Sequence, residues 1–239
     1  MPRFGLLYGF TTSLIAAATG IYGILFIADL APKSVDSGVQ GTWPKALVID
    51  GILLGLFAVQ HSVMARQGFK RWWTWLIPPS IERSTYVLIS CLFLTILFWL
   101  WRPITYSIWT VEHAAVRSVI LIVFWLGWLM VFIAGFRSNY LQQIGLQQVM
   151  DAASGGPVTA PTLSTSGLYK WVRHPIYVGS LVAFWATPDM SAGHLLFAAV
   201  STGYTIFGSF LEERDLVGTF GDRYRRYQRE VRMLLPFPK

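Results

Sequence analysis

The sequence predicts an all-α fold, a polytopic bundle of membrane helices, and three observations carry that prediction. Hydrophobic residues fill 54% of 239 positions and charged residues only 13%, about half the charged share of soluble domains. Apolar runs near 5–28, 47–65, 85–101, 117–136, 176–188 and 193–211 are nearly free of charge, and Pro, Gly and charged residues punctuate them. The cations between the runs fall unevenly on alternate sides.

The first run is long enough for a bilayer core, which takes about 20 residues. No small-residue cleavage site falls between Met1 and Leu30, so this run is expected to remain as a span and not to leave as a signal peptide. The second, third and fourth runs also read as full spans. The fifth is too short to cross alone, and Thr187-Pro188-Asp189-Met190 followed by Gly193 signals a turn. It is expected to pair with the sixth run, giving four full spans plus a C-terminal helical hairpin in a single domain, 1–136 forming the four-span bundle and 137–239 the C-terminal region. The long connection from Arg137 to Arg173 carries a flexible insert, Ser154-Gly155-Gly156-Pro157 to Pro161. The one cysteine, Cys91, lies inside an apolar run, so neither a disulfide framework nor a thiolate metal cluster can be built from it.

Fifteen Lys and Arg residues sit on one side: Arg3, the group from Arg66 to Arg83, Arg137 with Lys170 and Arg173, and the tail from Arg214 onward. Lys33, Lys45, Arg102 and Arg117 are left for the other. By the positive-inside rule both termini and the polar C-terminal clusters are expected in the cytoplasm, and the expected location is a bacterial inner membrane. The net charge of +7 then reflects orientation and contact with anionic membrane lipids, and is no signal for nucleic acid. Trp43, Trp72, Trp73, Trp75, Trp101 and Trp109 fall near the ends of runs, where amphipathic rings favour the interface.

Polar residues concentrate in the last third of the chain. Pro175 disfavours helical geometry at His174 and suits the first turn of the next helix, whose unpaired backbone N–H groups would face the cytoplasm. Arg173 offers a planar fork to a carboxylate, and His174 can donate or accept near neutral pH. A basic membrane-edge anchor is the competing reading. Glu212 and Glu213 end the partner helix, where acids oppose the helix dipole and call for a cation: Arg173, or a ligand's ammonium or sulfonium group. Tyr224 and Tyr227 share a helix face among arginines, as a cap over a site or as a lipid-headgroup helix.

Gly-Leu-Tyr-x-x-Val-Arg-His-Pro-Ile-Tyr-x-Gly from Gly167, Glu212-Glu213-Arg214-Asp215-Leu216 and Phe220-Gly221-x-x-Tyr224-x-x-Tyr227, a run reaching Pro236, together resemble the C-terminal region of the isoprenylcysteine carboxyl methyltransferase superfamily of membrane enzymes. The resemblance implies S-adenosylmethionine as cofactor, in a cytoplasmic pocket without a Rossmann domain and without metal. It implies cofactor contacts from Gln148, Leu168, Tyr169, Arg173, His174, Pro175, Tyr177, Gly179, Glu212, Glu213, Tyr224 and Tyr227. Within that site, Arg173 is expected to pair with the cofactor's carboxylate and a glutamate with its ammonium group. Ala31 to Gly38, Gln60 to Arg66, Glu82 to Tyr86, Phe184 to Pro188 and Gly193 to Phe197 are similar to a bacterial branch acting on a small thiol, which implies conversion of methanethiol to dimethyl sulfide. Asn139 to Val149 departs from that branch's pattern, which bears on the acceptor more than on the reaction class.

Thiol methylation is an in-line displacement that needs a thiolate. A cysteine thiol has a pKa of about 8.5 and a small alkyl thiol is less acidic, so His61, near the cytoplasmic end of the second span, is the candidate base; a satisfied interhelical histidine is its plain alternative. Glu82, Arg83 and Tyr86 follow on the same side, to position His61 or to cap the third span. His113 and His194 belong to the opposite side. Three other readings stand beside thiol methylation: a larger lipophilic acceptor such as a prenylcysteine carboxylate or a phospholipid amine, a nicotinamide-dependent membrane reductase, and a non-catalytic membrane factor.

Overall fold

The computed structural model describes residues 2–157 and 159–235; Met1, Val158 in the flexible insert and Pro236 at the end of the resembling run lie outside the described residues. Each apolar run becomes a helix: α1 (Pro2–Ile27), α2 (Trp43–Ala65), α4 (Pro79–Leu100), α5 (Ala114–Arg137), α8 (Pro175–Trp185) and α9 (Ala192–Phe220). Short helices α3 (Gln67–Trp73), α6 (Tyr140–Gln143), α7 (Leu146–Ser154) and α10 (Asp222–Glu230) fill polar connections, and a 3-10 turn covers Gly167–Lys170. Five of these helices are long and apolar enough to cross a membrane, α9 among them, while α8 is shorter. The chain is thus a helical integral membrane protein.

Two features differ from the sequence expectation. The sixth run does not stop at 211 but continues through Glu212–Asp215 to Phe220, because good helix formers there carry the i to i−4 ladder past the apolar segment. At 29 residues and 1.5 Å per residue, α9 is roughly 43 Å long, so the C-terminal hairpin has one short arm and one of full span length. The second difference is a small sheet. Strand β1 (Ser107–Thr110) pairs antiparallel with β2 (Asp189–Ser191), with Trp109 opposite Met190 and Thr110 opposite Asp189. Both strands fall in connections, where backbone groups outside helices need partners. Arg117, in the first turn of α5, clamps the sheet through Asp189 at 2.6 and 2.9 Å, and this pair holds the Asp189 carboxyl below its ordinary pKa.

The chain divides into two compact units. One comprises the residues up to Thr105 together with Tyr140–Pro161; the other comprises Tyr106–Asn139 and the residues from Thr162. In the first, α4 packs against α1 and α2, and α7 packs on α1 and α4. That packing needs Gly145, which has φ +86 and leaves no room for a side chain: a Cβ would lie 2.4 Å from the Ser84 amide nitrogen. The far end of this unit is closed by Trp101, fully buried and donating its indole N–H to the Val35 carbonyl at 3.0 Å. Trp101 is therefore core and not an interfacial ring, whereas Trp43, Trp72 and Trp75 are largely exposed. Beside it, buried Asp50 accepts the Arg102 backbone N–H at 2.9 Å.

In the second unit α5 and α8 approach so closely that each presents a glycine to the other. A Cβ on Gly127 would fall 2.7 Å from the Gly179 carbonyl, and one on Gly179 would fall 2.6 Å from the Gly127 carbonyl. Small residues at such crossings let membrane helices pack backbone to backbone. His194, in the first turn of α9, is buried; Ser191 Oγ accepts its backbone N–H and its ring Nε2 lies 3.0 Å from the Phe184 carbonyl. The histidine thus stitches the start of α9 to the end of α8.

Candidate functional site

In the second unit, four side chains converge on one carboxylate. Pro175 occupies the first turn of α8 and leaves His174 as its N-cap in a non-helical conformation, so Arg173 and His174 project from the loop toward α9. Glu213 Oε1 accepts Arg173 Nε at 2.9 Å, His174 Nε2 at 2.7 Å and the Tyr224 hydroxyl at 2.7 Å. Its Oε2 accepts Arg173 Nη2 at 2.8 Å and Gln228 Nε2 at 2.5 Å. The Arg173 and Glu213 side chains are 8% and 9% exposed. Remaining Arg173 donors reach the carbonyls of Gln228 and Val231. The fork expected to meet a ligand carboxylate is therefore occupied by protein.

The backbone is committed as well. Arg173 N–H donates to the Arg232 carbonyl at 2.9 Å and His174 N–H to the Met233 carbonyl at 3.2 Å, so these two groups are not open to an anion. Helix α10 supplies the roof. Tyr224 and Gln228, four apart on one face, both reach Glu213, and Tyr227 donates its hydroxyl to the Tyr169 carbonyl. Burial, and next its hydrogen bond to Glu213, push the Tyr224 phenol well above its ordinary pKa, so it stays a donor. Tyr169 itself points toward α5, its hydroxyl donating to the Ala134 carbonyl at 3.3 Å. Leu168 is half-buried in the 3-10 turn.

Glu212 has a different environment. Its side chain is 41% exposed; Oε2 accepts the Tyr177 hydroxyl at 2.5 Å and lies 3.6 Å from His174 Nδ1. The His174 and Tyr177 rings stack at 5.3 Å. Oε1 has no partner among the described residues, so Glu212 can still receive a cation. Both glutamates sit inside α9, two turns before Phe220. The dipole conflict inferred for a helix end does not arise, since that effect is confined to the last turn.

The first unit holds the other candidate group. His61 and Tyr86 meet between α2 and α4: the Tyr86 hydroxyl lies 2.8 Å from Nε2 and 3.0 Å from Nδ1, and Ser90 Oγ lies 3.2 Å from Nδ1. Ser90 donates its own proton to the Tyr86 carbonyl at 3.0 Å, so its oxygen can accept from Nδ1 in the tautomer that carries the proton there. Arg83 stands 4.7 Å over the Tyr86 ring and donates Nε to the Gln143 carbonyl at 2.7 Å. It shapes this cluster from outside. Glu82 is in the first turn of α4, where an acid suits the helix N-terminus, and forms no hydrogen bond or ion pair among the described residues. Gln148 belongs to α7, where Nε2 donates to the Gln142 carbonyl and Oε1 is buried without a partner among the described residues. Gly179 is taken up by the contact with α5.

Two participants escaped the sequence reading. Gln228 carried a signal, its spacing of four from Tyr224; Ser90, a hydroxyl within an apolar run, carried none. Among the described residues no group of three or more His, Cys, Asp or Glu side chains could hold a metal ion.

The phospholipid methyltransferase family model matches residues 122–223, a segment that includes Arg173, His174, Glu212 and Glu213. A methanethiol S-methyltransferase of a Pseudomonas strain is 49% identical over 97% of this chain and 90% of its own length. One of Mycobacterium tuberculosis is 49% identical over 98% of this chain and 96% of its own. Nurim of Xenopus laevis is similar at 28% identity over 85% of this chain and 76% of its own. No solved structure matches.

Proposed function

The chain belongs to the methanethiol S-methyltransferase family of membrane methyltransferases, and from that premise we propose that it methylates a small thiol, converting methanethiol to dimethyl sulfide with S-adenosylmethionine. The observation that carries the site assignment is the asymmetry of the two glutamates. Glu213 has no acceptor capacity to spare, while Glu212 keeps one oxygen for a cation. The residues therefore fit a cofactor bearing an ammonium and a sulfonium group. When bound, S-adenosylmethionine supplies an electrophilic methyl group.

Glu212 receives the cationic end of the cofactor, and Tyr177 with His174 fixes its orientation. Glu213 holds Arg173, His174, Tyr224 and Gln228 in one arrangement, so the loop before α8 and helix α10 are set before binding; such preorganisation lowers the ordering cost of association. Tyr169 and Leu168 on the 3-10 turn continue the wall. On the acceptor side, the proton leaves the thiol sulfur for Nε2 of His61, directly or through the Tyr86 hydroxyl, and Ser90 keeps the Nδ1 proton in place. The resulting thiolate is the nucleophile.

The test is headspace dimethyl sulfide from purified protein given S-adenosylmethionine and methanethiol. No product above a heat-treated control overturns the reading. Glu212→Gln is expected to raise the cofactor KM about tenfold, equivalent to about 1.4 kcal/mol, with the thiol KM unchanged; an unchanged cofactor KM removes Glu212 from the site. His61→Ala is expected to lose turnover most at low pH, where thiolate is scarcest, and equal turnover across about pH 6 to 9 rejects it as the base. The match to the phospholipid methyltransferase model favours one second reading, a lipid amine as acceptor. Methylated lipid in the same assay, without dimethyl sulfide, would select it.

A further inference from the structure

A second polar cleft lies outside the glutamate cluster, on an adjoining face of α10. About 450 Å³ in volume, it is bounded by Thr165 and Lys170 on one side and by Arg223, Arg226 and Glu230 on the other, with Tyr227 among its lining residues. Three cations face one acid. Lys170, Arg223 and Arg226 are exposed and make no ion pair or hydrogen bond with any described residue. The acid at the start of the same helix is already used outside the cleft, where Asp222 pairs with Arg225 at 2.9 Å. Like charges gathered around a concavity repel unless an anion joins them.

The surroundings indicate where that anion comes from. Trp171, next to Lys170, is 69% exposed, and Leu235, beyond α10, is 58% exposed. Large apolar side chains left open beside cations are the pattern of a membrane interface, where rings lie at headgroup level and Lys and Arg meet lipid phosphates. Helix α10 is itself strongly amphipathic: Tyr224 and Tyr227 are buried, and Arg223, Arg226 and Arg229 are exposed. Such helices bind anionic leaflets by combined apolar and electrostatic contact.

We propose that Lys170, Arg223 and Arg226 form a binding site for the phosphate of an anionic membrane phospholipid, with Trp171 and Leu235 against its acyl region. Arg side chains suit phosphate through paired N–H donors, and Lys170 adds a point charge. The site has a structural consequence for its neighbour. Tyr227 lines the cleft and bonds the Tyr169 carbonyl, and Val231, also in the lining, accepts from Arg173. A bound lipid therefore steadies the helix that donates Tyr224 and Gln228 to Glu213. This proposal stands whether the acceptor is a thiol or a lipid amine.

Native mass spectrometry of the full-length protein in detergent, titrated with dioctanoyl phosphatidylglycerol, dioctanoyl phosphatidylcholine or inorganic phosphate, reads the site directly. The wild type is expected to bind phosphatidylglycerol at least about tenfold more tightly than phosphatidylcholine, with the preference falling as salt rises. The triple variant Lys170→Gln, Arg223→Gln, Arg226→Gln is expected to lose that preference, while Arg229→Gln, on α10 but outside the cleft, keeps it. Because the three side chains are exposed, the melting temperature should hold; if the triple variant does not fold, Lys170→Gln alone should lower the preference several-fold. Equal binding of the two lipids, or a preference that survives the substitutions, overturns the proposal. Inorganic phosphate excluding the lipid at equal concentration overturns the lipid source in favour of a free anion. A raised cofactor KM for the triple variant in pure phosphatidylcholine would assign the cleft to the cofactor instead.

Discussion

A carboxylate removed from water costs several kcal/mol unless hydrogen bonds replace its hydration, and Glu213 meets that requirement with five donors from four residues. Arg173 is the one permanent charge among them, and its side chain is 8% exposed. Truncating it would strand Glu213 in a site with little water, the case in which a broken buried pair costs about 3–5 kcal/mol. Arg173→Ala is therefore expected first to lower thermal stability, measured in detergent by the loss of helical circular dichroism, and to weaken cofactor binding only as a consequence. Pairing it with Glu213→Gln separates the two. If the charges stabilise each other, the double variant should be less destabilised than the sum of the singles; strictly additive losses would mean that Arg173 acts elsewhere. The same reasoning explains what the sequence concealed at this scale. Arg173, His174 and the glutamates were recognisable by residue type, but two adjacent acids look alike until one is seen to be enclosed and the other 41% exposed.

Helix positions were legible because long apolar runs admit few alternatives in a membrane. Where each helix ended was less so. The charged stretch Glu212–Asp215 reads as an end, yet α9 passes through it, since hydropathy marks the edge of the lipid and not the edge of the hydrogen-bond ladder. The sheet of β1 and β2 joins segments about 80 positions apart, and no local pattern announces such a partner. Gly179 shows the same limit. It stood out in a motif and was assigned to the cofactor by resemblance, whereas the contact that demands a glycine is with Gly127 on α5. Gly179→Ala is accordingly expected to push α8 off α5 and cost about 1–3 kcal/mol, the range for overpacking. Gly203→Ala in α9, where a Cβ would meet nothing within 4 Å, should be neutral or stabilising by up to about 1 kcal/mol. Melting temperatures of the two variants side by side check this, and equal values would show that α5 and α8 separate without penalty.

At the scale of the whole chain, the charge asymmetry predicts how the protein crosses the bilayer. Fifteen cations against four is a strong bias, and retention of Lys and Arg on the cytoplasmic side is what orients such bundles. By the same rule α1, α2 and α4 of the first unit, and α5, α8 and α9 of the second, are each expected to alternate in direction, which would place both termini in the cytoplasm. Each unit offers its own check. In the first, Lys45 lies in the first turn of α2 and Arg71 lies in α3; in the second, Glu112 precedes α5 and Arg229 lies in α10. All four are exposed, and the native thiol, Cys91, is buried in α4, so background labelling should be small. In intact cells a membrane-impermeant maleimide should modify Lys45→Cys and Glu112→Cys, and should reach Arg71→Cys and Arg229→Cys only after the membrane is opened. The reverse pattern would invert the protein. Labelling of Arg229→Cys in intact cells, with Glu112→Cys labelled as expected, would mean that α8 is a re-entrant segment that never crosses.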